Sequence, residues 1–427
     1  MRVMEIIVKK ALTVLVLLRL LAGSAAAAGP APAGWRYGFG ADERLRLESR
    51  NNFDFSAGAH DSAEVTYQRL KLNAKAELPG KLELFAEAMD LGVVYKNMAR
   101  PAQYDRLDLH QAYAALKGKA FGRPVELKVG RQEIRYGLGR LVWSGSWSNR
   151  PNHFDAAVLK YKYGGLSADL IYGARVSYDE TGWNDPNRHD ILAGAYVTYR
   201  KSKEAPLLEA YFLDNYDSSN MSTLNRRTVG LRGQYTLPGG VACEAEAPYQ
   251  FGKSSGKSVY ARAFHLDLSR EFKTAWTPRA GVTYNYASGD KKPTDSVNNT
   301  FIPLYQNTHD PYGLMDFFRW QNMKETALEL SAKPLKALKL TAGTSYFWLA
   351  QNRDSWYDST GKKLRTNAAG TAGAYVGREA SLVAKYDLGG GAGLDGGYAH
   401  FFTGAYVKDT GKHDDADWLY LQFAVKL

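Results

Sequence analysis

The eight histidines, His60, His110, His153, His189, His265, His309, His400 and His413, stand apart and form no HExxH or other close ligand pair. No GxSxG elbow and no P-loop occurs. One cysteine, Cys243, excludes an intramolecular disulfide framework and any Cys-rich zinc site. The sequence therefore calls for no cofactor and offers no metal centre of ordinary spacing. Only His400, in His400-Phe401-Phe402, is a candidate for barrel-wall chemistry on lipid, set against the ordinary role of a His near an aromatic girdle. Basic side chains say more. Arg44, Arg46, Lys71, Lys75, Lys128 and Arg232 fall on the polar parity of alternating segments. Like charges on a low-dielectric wall draw in anions, and Arg grips carboxylates with two parallel bonds. Asp42, Glu48, Glu77, Glu83, Glu126, Glu244 and Glu246 share those faces, so a mixed lumen is the alternative.

Two further segments carry candidates. Val129–Leu141 leaves a strand, breaks on Gly137 and Gly139, and is followed by Trp143, Trp147, Asn149-Arg150-Pro151 and Phe154-Asp155. It reads either as a strand end with an interfacial Trp belt, or as a loop placing Arg131, Arg135, Arg140 and Arg150 at a pore mouth. The stretch 287–322 is long, polar and aromatic-rich, and such loops pack on themselves or serve a function. Its Asp290, Asp295, Asp310 and Asp316 are possible Ca²⁺ ligands, although their spacing matches no EF-hand.

These residues need elements to position them, and period two supplies those. Tyr37, Phe39, Ala41, Leu45 and Leu47 alternate with Arg36, Asp42, Arg44, Arg46 and Glu48. The same pattern recurs to the last segment, Leu419 to Leu427. Short turns at Leu78–Lys81, Leu116–Pro124, Tyr163–Leu166, Arg200–Leu207, Leu237–Val241, Glu271–Thr277, Ala332–Leu338 and Asp387–Gly393 alternate with longer polar connections. The longer ones are Arg50–Ala63, Tyr95–Asp105, Tyr136–Asn152, Ser177–His189, Asn215–Asn225, Phe251–Ser258, Ala287–Asn322, Ala350–Val376 and Thr403–Ala416. Eight short and nine long connections predict 18 strands. Strict alternation of turn and loop is the pattern of a transmembrane antiparallel β-barrel with periplasmic turns and outer loops. The polar parity carries too many charges for a sandwich core. The basic start, apolar Ala11–Leu21 and Ala26–Ala28 end read as a secretory signal over residues 1–28, with one barrel domain over 29–427. The chain's formal net charge is +11, and removing that signal leaves +8. Nucleic acid is excluded as a partner, because the charges are dispersed and no binding motif exists.

Several blocks together resemble the alginate export family of outer-membrane porins. They are Val129-Gly130-Arg131-Gln132 through Gly139-Arg140, Asn149-Arg150 with Phe154-Asp155, Tyr249–Gly252, Ala287–Asp290 and Tyr312–Asn322. They continue with Phe347–Asp358, Gly377-Arg378-Glu379, His400–Gly404 and Asp417–Gln422, in order across the chain. The resemblance implies an 18-stranded monomeric barrel with a basic lumen, gated by loops and exporting an anionic uronate polysaccharide. It also implies solute contacts at Arg131, Arg140, Arg150 and Arg378, to which lumen parity adds Arg46 and Arg232. Leu427 departs from the aromatic last residue usual in such barrels, and the last polar parity, Trp418, Tyr420, Gln422, Ala424 and Lys426, brings no Arg. The expected partners are the anionic saccharide, outer-membrane lipid, the barrel assembly machinery and periplasmic polysaccharide-export proteins. A general small-solute porin is the alternative, and a barrel enzyme the third reading.

Overall fold

The computed structural model describes residues 34–57, 62–99, 101–145, 147–309 and 311–427. The secretory signal expected over residues 1–28 lies outside them, as do His60 and Asp310. Twenty-one strands follow in order. The first eleven are β1 (Arg36–Asn51), β2 (Ser62–Leu78), β3 (Leu82–Lys96), β4 (Asp105–Ala120), β5 (Arg123–Gln132), β6 (Phe154–Tyr163), β7 (Leu166–Ser177), β8 (Asp185–Tyr199), β9 (Leu207–Tyr216), β10 (Leu224–Leu237) and β11 (Val241–Ser254). Then come β12 (Lys257–Glu271), β13 (Arg279–Ala287), β14 (Val297–Asn298), β15 (Met323–Leu335), β16 (Leu338–Leu349), β17 (Ser355–Tyr357), β18 (Lys363–Thr366), β19 (Tyr375–Gly389), β20 (Ala392–Thr403) and β21 (Ala416–Lys426). One short helix, α1 (Ala405–Asp409), sits in the last loop.

Eighteen of these strands form a single closed antiparallel barrel, as the connection count predicts. The remaining three belong to loops: β14 pairs with β12, and β17 with β18. Closure joins the first strand to the last, from Asp42↔Lys426 to Asn51↔Asp417. Beyond β21, Leu427 N–H donates to Ala41 O at 2.9 Å. Closure leaves no edge among the barrel strands, and this is what lets a sheet stand in lipid with its backbone groups satisfied. The 18 barrel strands run from 9 residues in β13 to 17 in β2. The longer strands therefore overhang a bilayer, which needs about 9–11 tilted residues. This overhang absorbs the expected long connection at Phe251–Ser258. β11 and β12 run on and meet at Ser255-Gly256, with φ of 51° and 79°, the positive pair of a two-residue hairpin turn.

Alternation decides which face is which. Phe39 and Leu231 are 68% and 66% exposed and point outward, where lipid replaces water as their solvent. Their neighbours Arg44, Arg46, Glu48, Arg232, Glu244 and Glu246 point inward and are buried. The hydrophobic core lies inside the barrel rather than behind a sheet. Loop residues Phe301, Phe317, Phe318, Trp320 and Trp356 pack on inward wall residues Phe347 and Phe401. Phe318 stacks on Phe347 with centroids 3.8 Å apart.

Candidate functional site

The path through the barrel is shaped by what enters it, beginning with the loop from Glu133 to His153. Gly137 and Gly139 take φ of 58° and 82°, and a Cβ at Gly139 would lie 2.8 Å from the Trp143 ring. The bend folds the chain into the lumen, where Tyr136 stacks on Tyr196 at 4.3 Å and its hydroxyl donates to Asp169 at 3.1 Å.

Three charged anchors hold this loop across the lumen. On the β10–β12 wall, Arg140 Nη1 donates to Glu244 at 2.8 Å and Glu246 at 2.9 Å. Its Nη2 donates to His265 Nε2 at 2.6 Å. Since Arg is donor only, His265 carries its proton on Nδ1 and donates from there to Asn285 Oδ1 at 2.7 Å. Arg232 joins the network by pairing with both Glu209 and Glu244. On the β1–β2 wall, Trp147 O accepts from Arg44 Nη1 at 2.8 Å and Arg46 Nη1 at 2.7 Å. Ser148 O accepts from Arg69 Nη1 at 3.1 Å, and Arg44 Nη2 donates to Asn149 Oδ1 at 2.6 Å. At the loop's start, Glu133 meets His110 at 2.8 Å and Lys71 at 3.1 Å. Burial alone would raise the Glu133 pKa. The His110 hydrogen bond and the charges of Lys71 and Arg135 outweigh it and hold the group far below the usual carboxylate range.

The long loop after β13 docks on the first. Trp143 N–H donates to Tyr305 O and Tyr305 N–H to Leu141 O, each at 2.7 Å. Trp147 stacks on His309 at 3.8 Å, and the Arg46 guanidinium lies 3.7 Å from the Trp147 ring centroid. Glu379 on β19 receives the Leu314 and Met315 amides. The β17–β18 loop closes the set, with Asp354 accepting from Thr300 Oγ1 at 2.6 Å and the Asp290 amide at 2.8 Å. Arg319, buried in this plug, donates to Pro303 O and Thr360 O, and burial lowers its pKa to about 10.

The expected solute contacts separate into three groups. Arg46 stands in the lumen, paired with Glu48 at 2.7 Å. Arg140 and Arg232 also face inward, but their groups are spent on the Glu209–Glu244–Glu246 network, and Arg150 bonds Glu180 at 2.8 Å and the Tyr104 carbonyl. Arg131 and Arg378 are corrections, because both lie on the outward register. Arg131 is opposite Asp155 and bonds it at 2.8 Å, two residues from lipid-facing Val129. Arg378 is opposite Tyr346 and Phe402, with its guanidinium 4.3 Å from the Phe402 ring. Neither reaches a solute in the lumen. Asp290 and Asp316 are engaged elsewhere, Asp316 with His309 at 3.0 Å. The one metal-type cluster among the described residues is Glu87, His110 and Glu133, and Lys71 already stands there at 3.3 and 3.1 Å from the two carboxylates. His400 faces outward with Asp417 at 2.7 Å.

Two hollows are lined by inward residues of the barrel. One, of about 460 Å³, opens among Arg46, Arg50, Tyr67, Trp147, Asp316 and Trp418. The other, about 500 Å³, lies at the short-turn rim among Lys333, Lys336, Lys339 and Lys385, with Asp387 and Asp395. None of these four lysines makes an ion pair within 4 Å among the described residues. Sequence reading passed over them, though three recur every third residue in Lys333-Pro-Leu-Lys336-Ala-Leu-Lys339 around a turn.

A family model described as alginate export matches residues 36–419. No curated protein sequence matches the chain. Among solved structures, OpdO of Pseudomonas aeruginosa is 17% identical with a TM-score of 0.62, covering 92% of this chain and 97% of that one. The outer-membrane protein OpdK of the same organism is 13% identical with a TM-score of 0.63, covering 91% and 99%. It was also solved with vanillate, at 12% identity and a TM-score of 0.63, covering 91% and 98%.

Proposed function

This chain belongs to the alginate export family and forms an outer-membrane β-barrel channel, and from that premise we propose that it passes an anionic, alginate-like saccharide from the periplasm by diffusion. The observation that carries the reading is the lysine group at the short-turn rim, which faces the periplasm in a barrel of this kind. Four cations against two carboxylates give that mouth a positive potential where the solute arrives. Farther in, Arg46 and Arg50 line the outer hollow beside Trp147 and Trp418 but are both paired with Glu48 at 2.7 Å, so the rim lysines carry the attraction and the hollow supplies the path. Arg140, Arg150 and Arg232 serve by holding the loops that set the bore. Periplasmic export proteins would deliver the solute, and the barrel assembly machinery would insert the chain.

A second reading, a porin for small organic anions, draws support from the pairing of the lumen arginines, which leaves little unspent charge for a polymer. OpdK with vanillate is a barrel of this shape bound to a small anion. Planar-bilayer recording separates the two. Anion-selective reversal potentials with block by polyuronate added on the short-turn side support polysaccharide passage. Block by monouronate alone supports the small-anion porin, and cation selectivity sinks both.

A further inference from the structure

The outer surface of the barrel differs around its circumference. β11, β12, β13, β15, β16 and β19 are successive neighbours in the sheet. Their outward positions carry Lys253, Arg262, Lys324 and Arg378 toward the long-loop ends, and no Asp or Glu. The carboxylates of these strands sit on the inward register, and Glu244, Glu246, Glu325 and Glu379 are buried there. The far wall is mixed: Glu43, Asp90 and Asp155 take outward positions with Arg106 and Arg131, and Arg131 is paired with Asp155.

We propose that the outward rim of β11–β19 is a docking surface for the phosphorylated glycolipid of the outer leaflet. Three observations lead there. Lys253, Arg262, Lys324 and Arg378 form no ion pair within 4 Å among the described residues, so a row of one sign is left without an internal counter-charge. These cations lie among aromatic side chains that mark the headgroup level. Lys324 is opposite Tyr286 and Trp348, Arg262 opposite Tyr249, and Arg378 opposite Tyr346 and Phe402. Arg262, Lys324 and Arg378 recur on every second strand, about 10 Å apart at the usual inter-strand spacing. Below them on the same face, Leu328, Leu330 and Leu382 are exposed, a bed for acyl chains under a row of headgroup cations. Guanidinium suits phosphate because its planar fork donates two parallel bonds. A solute in the lumen cannot reach these side chains, so this surface is independent of the transport path.

The test is lipid retention by the folded barrel in detergent, read by native mass spectrometry. Wild-type protein is exchanged into micelles doped with diphosphorylated lipid A, or with the same lipid after removal of its phosphates. The phosphorylated form is expected to stay bound and the phosphate-free form to wash away. The Arg262→Gln/Lys324→Gln/Arg378→Gln variant should weaken retention about a hundredfold for three charges lost at an anionic surface. Arg106→Gln/Arg131→Gln on the far wall should leave it unchanged. Equal retention of both lipids by wild type overturns the proposal without any variant. So does a triple variant that retains lipid A as wild type does, or a far-wall variant that loses it equally.

Discussion

The plug and the short-turn rim treat positive charge in opposite ways. Around the plug Arg140 is answered by Glu244 and Glu246, Arg232 by Glu209 and Glu244, and Arg46 by Glu48. At the rim, four exposed lysines share a hollow with only two carboxylates. The difference follows from solvent. A guanidinium taken out of water must recover its hydration from partners, whereas an exposed ammonium keeps its water and stays available to a passing anion. Arginines in a pore sequence are therefore scaffold first, and the unspent charge lies where water is.

The strongest way to break this contrast is to empty the plug. Replacing residues 300–321 with a short Gly-Ser link should raise single-channel conductance several-fold in planar bilayers, and unchanged conductance would mean the bore is set elsewhere. Arg140→Ala comes next. It leaves Glu244 and Glu246 buried without their shared partner, a loss of about 3–5 kcal/mol for a broken buried pair. Thermal unfolding should shift down and the Glu133–His153 loop should become open to protease. Exchanging Lys333, Lys336, Lys339 and Lys385 together for Gln should move the reversal potential toward cations while conductance stays close to wild type. A reversal potential that does not move would place anion preference inside the plug. Acid offers a finer probe. Glu133 has a folded pKa depressed below its unfolded value, so its stabilising contribution is present above about pH 4.3 and fades only as pH falls through the lower folded value. The loop start should thus resist proteolysis from neutral pH to about 4.5, and Glu133→Gln should lose that protection throughout. The smallest effect belongs to Arg131→Ala, whose reversal potential should match wild type, since the side chain faces lipid.

Most of the barrel was legible because its pattern is local. Period two and the alternation of turns and loops are properties of neighbouring residues, and they yield the 18 strands and the inward set of Arg44, Arg46, Lys71 and Arg232. Arg131 was legible too, two residues beyond outward Val129, yet the family block drew attention to its type rather than its register. Arg378 was masked the same way, beside inward Glu379. The plug was not legible. Arg140 reaches Glu246 across 106 positions and Trp147 meets Arg46 across 101. No periodicity encodes such contacts, because irregular loops have no repeating face.

The seam between β1 and β21 has a consequence for how the chain is made. The two strands that close the barrel are its first and last, so no shorter stretch of the sequence contains a closed sheet. Until β21 pairs with β1, both present open rows of amides and carbonyls, the condition that invites pairing with other chains. Ten register pairs, from Asp42↔Lys426 to Asn51↔Asp417, make up that seam. Losing β21 would cost the molecule its closure, because β1 and β20 would each be left with an unpaired side. Quality control of this protein is in effect written into its last strand.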